Sequence, residues 1–150
     1  MTTADTDGEP GRSSAPDDRD SSGSVGPRRR KAPPPFRRCE VVATKARSPR
    51  LRRLTLGGAE LVGFAVNEPA ASVRVLIPSP GSDELVLPTW TGNEFLFADG
   101  RRPVIRTLTP LRADAKQGEL DIEVVLHGDG PLARWAANAA IGATAAVSGP

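Results

Sequence analysis

The chain has 150 residues, 38% of them apolar, which allows one domain with a real core. Its single cysteine, Cys39, excludes an intrachain disulfide and a thiolate metal cluster, and its single histidine, His127, has no partners at metal-ligand spacing. The net charge of +2 hides a segregation: two basic against six acidic residues in 1–27, eleven against one in 28–53, and seven against eleven in 54–150.

Residues 1–35 hold almost no large apolar side chain and are rich in Ser, Asp, Gly and Pro, so burial cannot offset the entropy of ordering them. They are expected to form a disordered tail, with residues 36–150 as the folded domain. Arg28-Arg29-Arg30 is not read as a twin-arginine export signal, because Lys31, Ala32 and Pro33-Pro34-Pro35 follow where an apolar segment is required. With no apolar run long enough for a signal peptide or a membrane span, the expected location is the cytoplasm. The basic run from Arg28 to Arg53 leaves open a role in binding nucleic acid or anionic membrane. The favoured reading is a solvated arm plus an arginine-bearing edge strand, since no aromatic residue interleaves the basic ones between Phe36 and Arg53.

Beyond Phe36 the pattern is one of short strands. Cys39–Ala46 and Leu51–Leu56 are predicted strands separated by Ser48-Pro49, and Gly57-Gly58 makes the next break. Val73–Ile77 is a third, Leu85–Leu87 a short fourth and Glu94–Phe97 a fifth. Val104–Thr109 follows and stops at Pro110, which cannot donate to a ladder. There Val104, Arg106 and Leu108 share one face and Ile105, Thr107 and Thr109 the other, which sets a buried arginine among apolar neighbours. After a turn at Asp114–Gly118, Leu120, Ile122 and Val124 face inward while Glu119, Asp121 and Glu123 face water. Ala143–Val147 is the last predicted strand.

Between these last two strands lies His127-Gly128-Asp129-Gly130-Pro131, then an alanine-rich helix over Leu132–Ala140, with Pro131 at its first position and Gly142 beyond its end. The free amides of that helix start would face an anion. Arg106 beside them completes an anion cradle, the alternative being a strand arginine paired with a carboxylate. Trp135 is read as core, on one helix face with Leu132 and Ala139. His127, alone as it leaves a strand, reads as a turn or hydrogen-bonding residue rather than a catalyst. Nucleophile-elbow, Walker and dinucleotide-fingerprint motifs are absent, and the alternate carboxylates of Glu119–Glu123 are solvent-face patterning rather than an acid and base pair.

Several motifs then agree in order and spacing with one family. Leu51-Arg52-Arg53-Leu54-Thr55-Leu56-Gly57-Gly58 with Glu60-Leu61, Arg102-Pro103-Val104-Ile105-Arg106-Thr107-Leu108-Thr109-Pro110, Glu119-Leu120-Asp121-Ile122, and Val125-Leu126-His127-Gly128-Asp129-Gly130-Pro131 with Arg134-Trp135-Ala136 closely resemble the FAD-binding domain of siderophore-interacting proteins. The short strands suggest a small antiparallel barrel. The resemblance implies an all-β fold, a small six-stranded antiparallel Greek-key barrel with one short α-helix, of the ferredoxin-reductase-like kind.

The activity implied is reduction of ferric iron in a siderophore to ferrous iron, with FAD as cofactor and NAD(P)H as electron donor. In the family an Arg-x-Tyr-Thr or Arg-x-Tyr-Ser motif meets the flavin, and its positions here are Arg106, Leu108 and Thr109, with Thr107 between. The resemblance gives Arg106 the pyrophosphate and gives Thr109, the one implied catalytic position, the flavin's reactive edge. Val125, His127, Gly130, Leu132 and Ala133 complete the implied cofactor-binding set, with no metal ligand. Leu108 replaces the motif tyrosine and Ala133 a common hydroxyl residue, so FAD is expected to bind more weakly unless Trp90, Phe95 or Phe97 supplies the aromatic contact. Pro150 falls where the nicotinamide-binding domain of the family begins, so the chain is expected to be incomplete as a reductase, the NAD(P)H site coming from a second domain or a partner chain. A flavin-free barrel serving as a binding module stays open as the alternative.

Overall fold

A computed structural model describes residue 28 and residues 30–150. The tail expected over residues 1–35 therefore lies largely outside the described residues. The elements in order are β1 (Arg37–Ser48), β2 (Leu51–Gly57), one 3-10 turn (Ala59–Leu61), β3 (Val73–Ile77), β4 (Thr89–Trp90), β5 (Phe95–Leu96), β6 (Val104–Leu108), β7 (Arg112–Asp114), β8 (Glu119–Val125), α1 (Pro131–Asn138) and β9 (Thr144–Ser148).

Seven strands form one antiparallel sheet in the order β6-β3-β9-β1-β2-β8-β7, and β4 with β5 makes a separate two-stranded ribbon. The last strand returns to fill the place between β1 and β3. The sheet curls strongly, because β6 and β8, separated in the order by the four strands β3, β9, β1 and β2, line a common cleft. No hydrogen-bonded pair joins β6 to β7 or β8 among the described residues, so the barrel has a seam there. Helix α1 packs along that seam against β2, β6 and β8.

The concave face is the core. Val41, Leu54, Leu56, Val73, Val75, Leu120, Ile122 and Val147 are each at most 1% exposed, each worth about 1.5–3 kcal/mol of burial. The alternation predicted for β8 holds along its length: Leu120, Ile122 and Val124 are buried and the intervening acids are half-exposed. A smaller cluster on the other face joins Leu76, Leu85 and Ala146 to Phe36 and Ile105. Phe36 continues into the ribbon, edge-on to Phe95 at 5.2 Å, with Trp90 edge-on to Phe95 at 5.0 Å. Burial pushes the Cys39 thiol up to about 12, with Glu60 and Glu40 adding to the shift, so it is a neutral core group.

Three expectations are corrected. The sheet has seven strands rather than six, the addition being β7, whose three residues pair with β8 through Arg112↔Asp121, Ala113↔Leu120 and Asp114↔Glu119. Residues 85–87 form no strand: Leu85 is a single buried anchor whose carbonyl accepts a bond from Arg38 Nη1 at 3.2 Å, and Val86 and Leu87 are exposed. Prolines at 78, 80 and 88 bracket this segment, and none of the three can itself donate to a ladder. The third correction, the exposure of Arg106, belongs to the site below.

The turn at Asp114–Gly118 forms as predicted, with Asp114 Oδ1 accepting from the amides of Lys116 and Gln117 at 3.1 and 3.0 Å. Gly118 sits at φ +66, and a Cβ there would lie 2.7 Å from the Gly58 carbonyl oxygen, so no other residue fits. Next to it, β7 is fastened by charge. Arg112 reaches Asp121 and Glu119 at 3.0 Å each, and the Thr55 hydroxyl donates to Asp121 at 2.7 Å.

Burial alone would raise the Asp121 carboxyl, but the bonds from Arg112 and Thr55 outweigh it and hold the group below the usual carboxylate range. A depressed folded pKa gives stability that is present at neutral pH and lost as pH falls through the folded value. Asp121→Asn is therefore expected to cost about 1 kcal/mol at pH 7 and to lose less than the parent does on going below about pH 4. Urea unfolding of both proteins at pH 7 and pH 3 checks this. Equal acid sensitivity would show that the cluster contributes nothing.

Candidate functional site

The site is assembled where the seam of the barrel meets the start of α1. In the β3–β6 register Val75 faces Arg106 and Val73 faces Leu108, so both β6 side chains emerge on the face whose partners form the core. Leu108 is half-buried and packs on that core. Arg106 is exposed, which corrects the expectation of a buried arginine. The reason is topological: β6 is an edge strand, and its inner face opens to solvent at the seam rather than closing on another strand. The Arg106 guanidinium donates only to the neighbouring Ile105 carbonyl, at 2.9 Å, and no carboxylate pairs with it among the described residues. The strand-arginine alternative, a carboxylate partner, is thus not realised, and most of the fork of donors is available.

Helix α1 supplies the second half. Pro131 occupies its first position with no amide to lose, and Gly130 precedes it in extended conformation without any side-chain cap. The Arg134 amide bonds back to the Gly130 carbonyl at 3.1 Å, which leaves the amides of Leu132 and Ala133 as the orphan donors of the first turn. A Cβ built on Gly130 would meet nothing within 4 Å, so the approach to the helix start is open at that residue.

These parts line one cleft of about 320 Å³. Arg106 and Leu108 come from β6, Val125 and His127 from the end of β8, and Gly130, Leu132 and Ala133 from the helix start. Of the predicted cofactor residues only Thr107 and Thr109 do not line it. Thr107 is on the opposite face of β6, across from Arg74, and Thr109 follows the strand as an exposed residue.

The sequence reading missed Pro131, Val124 and Glu123 as lining residues. Glu123 would repel an anion, but Arg53 grips its carboxylate from Nη2 at 2.8 Å and Nε at 3.1 Å, and Arg47 lies at 3.8 Å. The signal was present in the direct register of Arg53 with Glu123, which needs the strand pairing to be seen.

The cleft fits the phosphate part of a dinucleotide: an unpaired guanidinium, two uncapped amides and open space converge, with the nearby carboxylate neutralised. Its fit to an aromatic ring is poorer. Trp90 and Phe95 pack on one another, Phe97 borders a different groove, and none of the three lines this cleft, so the ring would meet Leu108 and Val125 instead. No helix among the described residues is long and apolar enough to cross a membrane.

Comparison with known proteins identifies the family and the fold. Residues 40–150 match the siderophore-interacting FAD-binding domain family. The chain is 34% identical over 112 residues to the ferric vibriobactin reductase ViuB of Vibrio cholerae, covering 74% of this chain and 41% of that protein. It superposes on a siderophore utilization protein from T. fusca with a TM-score of 0.67 and 35% identity, covering 79% of this chain and 46% of that one. A ferredoxin NADP+ reductase from Neisseria gonorrhoeae shares the fold, with a TM-score of 0.52 at 17% identity over 75% of this chain and 36% of that one. The chain thus spans less than half the length of each of these proteins. It belongs to the siderophore-interacting FAD-binding domain family.

Proposed function

We propose that this chain, as a siderophore-interacting FAD-binding domain, is the flavin-carrying part of a reductase that passes electrons from NAD(P)H to ferric iron held by a siderophore. The observation that supports this most is the convergence of Arg106 with the uncapped amides of Leu132 and Ala133 on one cleft. In this reading the Arg106 fork and the two amides hold the diphosphate of FAD, and Leu108 and Val125 pack against the flavin ring. Thr109, immediately past β6, offers its hydroxyl to the ring's reactive edge as donor or acceptor. His127 and Gly130 border the cleft between ring and diphosphate. Thr107, on the other face of β6, supports the strand rather than touching the cofactor.

FAD, when bound, supplies the conversion of an electron pair from a nicotinamide into single electrons for iron. The protein's contribution is to hold it and exclude competing contacts. The NAD(P)H site would lie outside these residues, in further sequence or in a partner chain, because hydride transfer needs the nicotinamide positioned against the ring. The ferric siderophore enters as substrate, its iron kept by its own chelator.

The occurrence of Leu108 in the aromatic position favours one competing reading, a flavin-free binding module. Adding FAD to the purified full chain separates the two. At about 100 times the dissociation constant, FAD should stabilise the fold by about 2.7 kcal/mol, a rise in melting temperature of roughly 10 °C. An unchanged melting temperature with no retained yellow colour would overturn the flavin reading and select the module.

A further inference from the structure

The fold gathers much of the positive charge of residues 28–53 at the outer end of one hairpin. Strand β1 is an inner strand only over its first part: it pairs with β9 from Arg37 to Glu40, and Val41 makes the last backbone bonds on that side, with Ala143 and Gly142. From Val42 to Ser48 it pairs with β2 alone among the described residues, and every residue of that stretch is exposed. The β1–β2 hairpin therefore ends in a free edge that carries Lys45, Arg47, Arg50, Arg52 and Arg53, with no acidic residue between Val41 and Arg53.

Little of that charge is neutralised. Lys45 stands opposite Arg53 in the register, a like-charge pair that costs a ladder stability. Among the described residues Glu123 is the one carboxylate that pairs with any of the five: Arg53 holds it at 2.8 Å, and Arg47 stands further off at 3.8 Å. The side chains of Lys45, Arg50 and Arg52 make no ion pair among the described residues, and Arg52, half-buried, leaves its Nε enclosed without an acceptor.

Charge and composition select the occupant of such an edge. A second copy would set lysine and arginine against lysine and arginine, which is how edge strands are kept from pairing with themselves. Val42 is the one large apolar side chain exposed on the edge, too little to seat it in a lipid surface, and no aromatic residue stands among the arginines to stack a base. An acidic segment fits, and the chain carries one: Asp5, Asp7, Glu9, Asp17, Asp18 and Asp20, against Arg12 and Arg19 alone. Its length suffices. Glu9 is 19 residues from Arg28 and Lys45 only 17, so at roughly 3.3 to 3.6 Å per residue the segment spans to Lys45 whatever path the chain takes from Arg28.

We infer that the free edge of the β1–β2 hairpin is an interaction surface whose occupant is the acidic segment of residues 5–20 of the same chain, and that this segment keeps other polyanions off the hairpin. Tethering gives the segment an effective concentration that a free competitor has to exceed. None of the five basic residues lines the cleft at the start of α1, so the contact stands apart from the flavin reading.

The test uses the full chain with a nitroxide on Ser13→Cys, the label going to the introduced thiol because Cys39 is buried. At about 20 mM salt the label is expected to broaden the amide NMR signals of residues 42–53 more than any others, and the broadening is expected to fall at least about threefold at about 0.5 M salt. It should fall equally when the six acids are changed to Asn or Gln. In parallel, a fluorescent single-stranded DNA of about twenty nucleotides, used as a polyanion probe, is expected to bind that neutralised variant about tenfold more tightly than the parent. Lys45→Glu with Arg50→Glu, added to the neutralised variant, should remove the gain, and melting temperatures verify that each variant folds. Broadening absent from residues 42–53, or undiminished on neutralisation, would overturn the inference. Equal DNA affinity in parent and neutralised variant would also overturn it, and if both bound tightly the hairpin would be a nucleic-acid surface instead.

Discussion

Replacing Arg106 by alanine is expected to weaken FAD binding by about 2 kcal/mol or more, roughly thirtyfold. Among the described residues Arg106 is the one guanidinium lining the cleft, and it has no carboxylate partner there. Its charge is therefore not already committed to the fold, and the phosphate would gain it in full. Truncation leaves the two helix amides to hold the diphosphate unaided, which is why loss is substantial but not complete. Because the side chain is exposed and bonded only to its neighbour's carbonyl, the variant should melt within about 0.5 kcal/mol of the parent. Equilibrium titration of FAD against parent and variant measures the effect. Equal affinities would place the diphosphate elsewhere.

Leu108→Tyr is expected to act in the opposite sense, tightening FAD about tenfold. Among the described residues no Phe or Trp side chain lines the cleft, so a ring seated against Leu108 and Val125 gains burial but little aromatic contact. A tyrosine at this half-buried rim position would add that contact. It would cost little in packing, since the side chain can extend into the cleft instead of the core. The same titration reads the result. An affinity unchanged or reduced would mean that the flavin ring lies away from β6, and it would remove the explanation of leucine as a weakening departure from the motif.

The parts of this site that could be read from the sequence are those set by local rules. The period-two pattern of β8 and the break at Pro110 gave the strands, and Pro131 with Gly142 bracketed the helix, because these signals depend on neighbours within a few residues. The face shared by Arg106 and Leu108 followed from strand geometry alone.

What was not legible depends on pairing between distant segments. Arg106 was expected to be buried because alternation says which face a side chain takes, not whether another strand covers that face; only the open seam beside β6 decides it. Strand β7 is too short to alternate and exists because Arg112 finds Asp121 and Glu119 across the ladder. Residues 85–87 looked like a strand because Leu85-Val86-Leu87 is apolar, yet Leu85 serves as one anchor beneath Phe36 and Ile105. The pairing of Glu123 with Arg53, which keeps the cleft free of an uncompensated negative charge, is likewise a property of register.

The central claim is that one guanidinium and the first turn of α1 hold the same diphosphate. An amide and guanidinium NMR titration of the full chain with FAD tests it most directly. The expected result is that the Leu132 and Ala133 amides and the Arg106 Nε–H shift together, with a common midpoint and larger than other signals. Saturation by FAD with those three signals unmoved would contradict it.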